Sequence, residues 1–149
     1  MRKIVTTLLL VLFTLNINAQ NRKEFFKSPN GMFLISSDLH IHSVFSDGEV
    51  WPSIRIKEAR RDGLDLISLT EHLEYLSYKN DMNITDRNRS FEISNSMLKE
   101  EEALMVINGT EITKPMPPGH FNAVFIKDAN LIINPDGEKA IIEANKQGA

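Results

Sequence analysis

The chain has 149 residues, a formal net charge of −3 at pH 7 and no cysteine. This composition suits a soluble domain and argues against a disordered chain, a basic nucleic-acid-binding protein or a domain held by disulfide bonds. We therefore expect no stable nucleic-acid partner. The composition does not indicate an oligomeric state.

The first 19 residues differ in composition from the rest of the chain. Arg2 and Lys3 are followed by an apolar stretch and then by the small residue Ala19, which is the order found in a cleaved secretory signal. The alternative is a membrane anchor, but polar side chains interrupt the apolar stretch before it reaches the ~20 residues that a span needs. We predict a signal peptide over 1–19, a lead-in over 20–32, and an exported, periplasmic or secreted protein with no membrane span after cleavage.

Short apolar runs alternate with helix-like stretches beyond the signal. Pro52 and Gly63 suit the first turn and the C-terminal cap of a helix between them. This alternation predicts an α/β fold, in which the loops at the carboxyl ends of the strands carry the chemistry. Strands are predicted over 31–42, 64–72, 104–111 and 120–127, helices over 51–63, about 91–104 and 136–148, and a long loop over about 73–90.

Two of the four histidines lie one residue apart in the segment SSDLHIHSVFSDG, residues 36–48. Alternate residues of a strand point to one face, so Asp38, His40 and His42 are predicted to project together. Two imidazoles placed in this way can bind one divalent metal ion, and the turn that follows can bring Asp47 back toward them. An H-x-H pair alone is a weak signal.

The other two histidines also lie where predicted strands meet loops. His72 ends the strand LISLTEH, His120 follows the loop KPMPPG, and Glu111 closes a strand in NGTEIT. Each residue alone is more often a surface group, but no histidine lies elsewhere in the sequence. A carboxylate such as Glu111 can bridge two ions ~3.5–4 Å apart. We therefore predict one divalent-metal site, for which zinc, manganese or iron suits the mixed donors.

The motifs DLHIHSVFSDG, LTEH, GTEIT and GHFNAVFI resemble, in this order, the opening motifs of the PHP (polymerase and histidinol phosphatase) domain family. The resemblance runs from about Phe33 to the C-terminus and is closest to exported PHP phosphodiesterases. It implies the N-terminal portion of a distorted (β/α)7 barrel whose two or three metal ions activate a water for the hydrolysis of phosphate esters. It implies Asp47 and Glu111 as catalytic residues, with Glu111 bridging, and the following metal ligands: His40, His42, Asp47, His72, Glu111 and His120.

Two departures from the family pattern are visible in the sequence. The family more often has aspartate where Glu71 stands, but strand alternation turns this residue away from His72, so we expect little consequence. The later HP and D-x-H motifs of the family are absent. About 130 residues follow the signal, whereas a closed barrel usually needs ~200 or more. We therefore expect residues 33–149 to be an incomplete PHP domain that is inactive alone.

Three cations are candidates for binding the phosphate of a small-molecule ester. Arg87 and Arg89 lie in the predicted loop over 73–90, and Lys114 follows Glu111. Each can instead be an incidental charge of a solvated loop. Two other functions stay open: a PHP relic that binds metal without turnover, and a metal hydrolase of the amidohydrolase type. In the latter, a metal-bridging lysine is expected where this sequence offers Glu111.

Overall fold

The structure, a computed structural model, describes residues 31–100 and 102–149. The predicted signal peptide over 1–19 and most of the lead-in over 20–32 lie outside the described residues, so both stay predictions. None of the helices within these ranges is long and apolar enough to cross a bilayer. Residues Ile35–Ala149 form one compact unit.

A four-stranded sheet in the order β1-β2-β3-β4 organises this unit. Strands β1 to β3 are parallel, and β4 runs antiparallel to β3. The link between β3 and β4 covers only residues 113–120, which is too short for the crossover helix that a parallel partner would need. Antiparallel β4 therefore begins at the edge where β3 ends. The strands are β1 (Ser37–Ile41), β2 (Leu66–Leu69), β3 (Met105–Ile112) and β4 (Phe121–Val124).

Three helices accompany the strands, and two of them match the predicted segments closely. In the first, Pro52 occupies the first turn, and Gly63 has a φ of 69° in the left-handed region, where its amide donates to the last carbonyls of the helix. Glycine suits this cap because it lacks a Cβ. The α/β fold is thereby confirmed. The helices are α1 (Pro52–Asp62), α2 (Arg89–Ser96) and α3 (Gly137–Gln147), with a short 3-10 helix at Ala129–Ile132.

The predicted helix over about 91–104 is wrong at its C-terminal end, because α2 ends at Ser96. The Ser96 hydroxyl donates to the Ile93 carbonyl, an example of the side-chain competition that makes serine a poor helix former. The strand predicted over 120–127 is also shorter. It stops at Val124 because Phe125 adopts a φ of 64°, which no strand residue has.

Two apolar clusters pack around the sheet. One joins α1 to β2 through Ile56 and Ile67, and the other joins β3 to α3 through Ile112 and Ala140. Three residues that follow β2 and two residues near the end of β3 are instead buried and polar. They are Thr70, Glu71, His72, Thr110 and Glu111. Burial of polar groups is unfavourable unless they are hydrogen-bonded or bind an ion. The partners of these buried polar residues therefore indicate what this edge of the sheet does.

Candidate metal centre

The six predicted ligand residues meet at the edge where β1, β2 and β3 end and β4 begins. His72 lies just beyond β2 and forms an isolated parallel bridge with Glu111. Because β4 is antiparallel, His120 comes to this edge from the start of its strand. The parallel strands place the remaining candidate ligands at or just beyond their carboxyl ends, as the sequence pattern predicts.

Asp38 does not join these side chains. Its carboxylate accepts a hydrogen bond from the His40 amide and lies beside α1, near Arg55 and Glu58. The pairing of β1 with β2 shifts register between Asp38 and Ile41. Simple alternation along the strand is broken there, so the predicted shared face begins only at His40.

The four imidazole rings form a continuous row. Successive ring centroids are 5.0 Å apart for His40 and His42, 4.5 Å for His42 and His72, and 5.4 Å for His72 and His120. A neutral imidazole presents a lone pair that can bind a metal ion. The row is therefore suited to divalent cations.

Glu111 lies beside this row and is 4% exposed. Its Oε1 is 2.7 Å from Nδ1 of His120. Its Oε2 is 3.0 Å from Nε2 of His42 and 3.2 Å from Nδ1 of His72, yet it has no hydrogen-bond partner among the described residues. A buried carboxylate oxygen without a donor destabilises a protein by about 1–3 kcal/mol or more. A cation held between this oxygen and the imidazole nitrogens would remove that cost.

The possible ligand atoms form three overlapping groups, each with its atoms within 4.8 Å of one another. The first and third groups share only the Glu111 carboxylate, which can bridge two ions. The second group shares a histidine with each of the others, and a neutral imidazole has one lone pair to give. The donors therefore fit two ions at once. The groups are His40, His42 and Glu111; His42, Asp47 and His72; and His72, Glu111 and His120.

Asp47 contacts two of the rings. Its Oδ1 is 2.5 Å from Nδ1 of His42, and its Oδ2 is 3.3 Å from Nε2 of His72. Burial is the largest single influence on this carboxyl and raises its pKa, but hydrogen bonds and charge interactions with His42 and His72 together lower the pKa of Asp47 below its usual value. Asp47 can bind an ion itself or orient the His42 ring, as carboxylates do behind metal-bound histidines.

Two residues outside the predicted set hold other rings in place. Thr113 Oγ1 is 2.6 Å from Nδ1 of His72, and the Asn122 amide is 2.5 Å from Nδ1 of His40. The second contact joins β4 to β1, so the sheet is curled. Each residue follows a predicted ligand by two positions, and strand alternation could have identified both. Such partners fix the orientation and tautomer of metal-binding histidines.

The three predicted phosphate-binding cations are engaged in other contacts. Arg87 donates to two main-chain carbonyls of its own loop. Arg89 is exposed and forms an ion pair with Glu92 along α2. Lys114 is buried, and its Nζ is 2.5 Å from Oε1 of Glu74. Their role in substrate binding stays a prediction.

Comparison with known proteins finds relatives among solved structures, while no family model and no curated protein matches the chain. A two-domain protein of Bacteroides vulgatus, described as containing a predicted PHP-like metal-dependent phosphoesterase, is 49% identical, with a TM-score of 0.76 over 83% of this chain and 36% of that one. A protein of Bifidobacterium adolescentis, described as a candidate metal-dependent phosphoesterase, is 24% identical, with a TM-score of 0.49 over 80% of this chain and 34% of that one. This chain thus spans about a third of the length of these relatives.

The similarity to the Bacteroides protein and the motifs of this chain indicate the same family. The similarity combines high identity with a shared fold over most of the chain. The four motifs that carry the resemblance in the sequence supply the side chains that meet at one edge of the sheet. We conclude that the chain belongs to the PHP family.

Proposed function

We propose that this protein is a metal-dependent phosphoesterase that hydrolyses phosphodiesters at a centre of two ions, with water as the nucleophile. The observation that carries the proposal is the buried Glu111 oxygen, which faces imidazole nitrogens and has no hydrogen-bond donor among the described residues. The description of the Bacteroides relative supports the same reaction class. We also propose that the described residues form the N-terminal portion of the distorted (β/α)7 barrel that the sequence resemblance implies.

Different residues of the site would bind the metal ions and accept a proton. When bound, divalent ions supply positive charge that stabilises phosphate oxygens and lowers the pKa of water. His40 and His42 would hold one ion and His72 and His120 the other, with Glu111 shared between them. Asp47, ionised beside two rings, can accept a proton from water.

Exposure of the outer rings indicates where a substrate enters. The side chains of His40 and His120, at the two ends of the row, are 53% and 50% exposed, whereas that of Glu111 is 5% exposed. A phosphate group can therefore approach the row from solvent, with the carboxylate behind the rings.

The engaged cations favour a diester over a monoester. A monoester carries a second negative charge, which proteins usually meet with arginine or lysine. In the described part of the chain, the three predicted cations, Arg87, Arg89 and Lys114, already have carbonyl or carboxylate partners. A diester, with one negative charge, needs less help beyond the two ions.

The test is hydrolysis of bis(p-nitrophenyl) phosphate by the protein purified from its host, with metal content measured by mass spectrometry on the same sample. We expect about two Zn, Mn or Fe ions per chain, and we expect Glu111→Gln to lose both metal and activity. Metal binding without turnover of any ester would favour the non-catalytic relic. Turnover of lactones or amides in place of esters would favour an amidohydrolase-type enzyme.

A further inference from the structure

A second buried glutamate lies beside the centre and outside its three ligand groups. Glu71 directly precedes His72 and is 4% exposed. Its Oε2 accepts hydrogen bonds from the Ser43 amide at 3.0 Å and the Ser46 hydroxyl at 2.5 Å, and its Oε1 accepts one from the Ser43 hydroxyl. Within residues 31–100 and 102–149, no cationic side chain or histidine lies within ion-pair distance of this carboxylate. Uncharged donors satisfy it.

The loop held by Glu71 carries two of the candidate ligands. Ser43 directly follows His42, and Ser46 directly precedes Asp47. Both serines are fully buried, and the Ser46 amide donates to the Ser43 carbonyl at 3.1 Å, which closes a tight turn. Holding the two serines therefore sets the positions of the ligands on either side.

Glycine at position 48 completes this turn. A Cβ added to Gly48 would lie 2.7 Å from the main-chain carbonyl of His42, closer than such atoms approach. The amide of Gly48 donates to the Ser43 carbonyl at 2.9 Å. The chain after His42 is thus folded back tightly, and the Glu71 carboxylate holds the inner side of that fold.

The main chain of Glu71 contacts a different part of the centre. Its carbonyl accepts hydrogen bonds from the Glu111 amide at 2.9 Å and the Thr110 hydroxyl at 3.0 Å. These main-chain contacts do not depend on which side chain stands at position 71. A substitution there should therefore disturb the loop that bears His42 and Asp47 and leave Glu111 in place.

We propose that Glu71 is a positioning residue whose carboxylate fixes the Ser43–Ser46 loop so that His42 and Asp47 face the metal groups. This inference rests on the proposed function, since it concerns metal ligands. Both the charge and the length of the Glu71 side chain are needed to hold this loop. A carboxylate accepts all three donors, whereas glutamine offers one oxygen, and aspartate is one methylene too short to keep the same reach.

The test measures Mn²⁺ and Zn²⁺ affinity of the full chain by titration calorimetry for the parent, Glu71→Gln and Glu71→Asp. We expect both variants to bind about 10–100-fold more weakly, the usual range for residues behind metal ligands. Occupancy should fall toward one ion, because the group of His72, Glu111 and His120 contains no loop residue.

The matched control is Glu102→Gln. Glu102 is a well-bonded glutamate that pairs with Arg60 and precedes β3, at the end of that strand opposite Glu111. This variant should lose stability and keep the metal affinity of the parent. Ser46→Ala should weaken metal binding in the parent and add little in Glu71→Gln, because both changes remove the same contact.

A second measurement needs no metal. Amide hydrogen exchange at Ser43 should be slow in the metal-free parent and faster in both Glu71 variants. Unchanged exchange, or metal affinity equal to that of the parent, would overturn the positioning role. So would a loss of affinity that Glu102→Gln shows equally. A parent that binds neither metal would instead overturn the proposed function, whatever the exchange at Ser43 shows.

Discussion

Glu71 and Glu111 are buried to the same extent, but they differ in the hydrogen-bond donors that surround their carboxylates. Both residues are 4% exposed. Around Glu71, an amide and two hydroxyls donate to the carboxylate, whereas around Glu111 the neighbours are imidazoles and one oxygen has no donor among the described residues. Because the two carboxylates are equally buried, the difference between their roles comes from the groups that contact them. The protein itself satisfies Glu71, whereas one oxygen of Glu111 is placed where it could share a cation with the imidazoles.

The largest effect is expected from Glu111→Gln, which removes the carboxylate shared by two of the ligand groups. Metal affinity should fall more than ~100-fold, beyond the range for residues behind the ligands. Without metal, however, the variant should be at least as stable as the parent, because it no longer buries an unsatisfied charge. Urea unfolding of the metal-free proteins measures this difference.

Glu71→Gln should show the opposite pattern in the same unfolding experiment. It breaks satisfied hydrogen bonds, so it should lower metal-free stability by about 1–3 kcal/mol. Equal losses of metal-free stability in Glu71→Gln and Glu111→Gln would contradict the comparison between the two regions.

An intermediate effect is expected from Asp47→Ala. Asp47 belongs only to the second ligand group, so its loss should lower the number or affinity of bound ions without emptying the centre. Mass spectrometry of the metal content and the rate of diester hydrolysis check this expectation. If both match the parent, Asp47 is only a turn residue before Gly48.

A smaller effect is expected at Asn122, which contacts the outermost ring. Asn122→Ala should weaken metal binding about 10-fold, because His40 loses the partner on its Nδ1. Asn122→Asp should retain binding, since a carboxylate can accept a proton from Nδ1 of His40 and leave Nε2, which faces Glu111, free for the metal ion. Calorimetry on both variants measures the effect, and equal affinities for the two would show that the contact does not orient the ring.

Sequence patterns predicted which candidate ligands come together better than they predicted the surroundings of those residues. Candidate ligands such as His72 and Glu111 are visible in the sequence because each lies where a strand ends, and this depends on local periodicity. The contacts of Glu71 with Ser43 and Ser46 join residues 25 to 28 positions apart, which no local pattern encodes. The expectation that glutamate in place of aspartate at position 71 has little consequence considered only its own strand, whereas the structure shows that this side chain accepts hydrogen bonds from Ser43 and Ser46.

Contacts between residues far apart in the sequence also explain two errors in the structural predictions. The register shift between Asp38 and Ile41 arises from the pairing of β1 with β2, so the sequence of β1 alone could not show it. The early end of α2 coincides with a hydrogen bond from Arg60, on α1, to the carbonyl of Met97. Contacts between elements contribute to both features, and hydrophobic periodicity does not report such contacts.

The smallest effect is expected from Glu102→Gln, which lies outside both glutamate regions and shows what an ordinary ion pair contributes. Arg60 Nε is 2.5 Å from Oε1 of Glu102, and Arg60 NH2 is 2.7 Å from Oε2. The hydrogen bond from Arg60 is the main cause that lowers the pKa of Glu102 from 4.5 to about 2. Since both side chains are partly exposed, we expect the variant to lose about 1 kcal/mol at pH 7.

The pH dependence of this loss has a definite sign. A carboxyl whose pKa is lower in the folded state stabilises the protein fully above its unfolded value of 4.5, and this contribution disappears as the pH falls toward about 2. The difference between parent and Glu102→Gln in urea unfolding should therefore shrink from pH 5 to pH 2. A difference that stays constant over this range would mean that the Arg60 pair does not stabilise the fold through its charge. Metal affinity at pH 7 should be unchanged, because the pair lies at the amino end of β3 and the ligands lie at the other end.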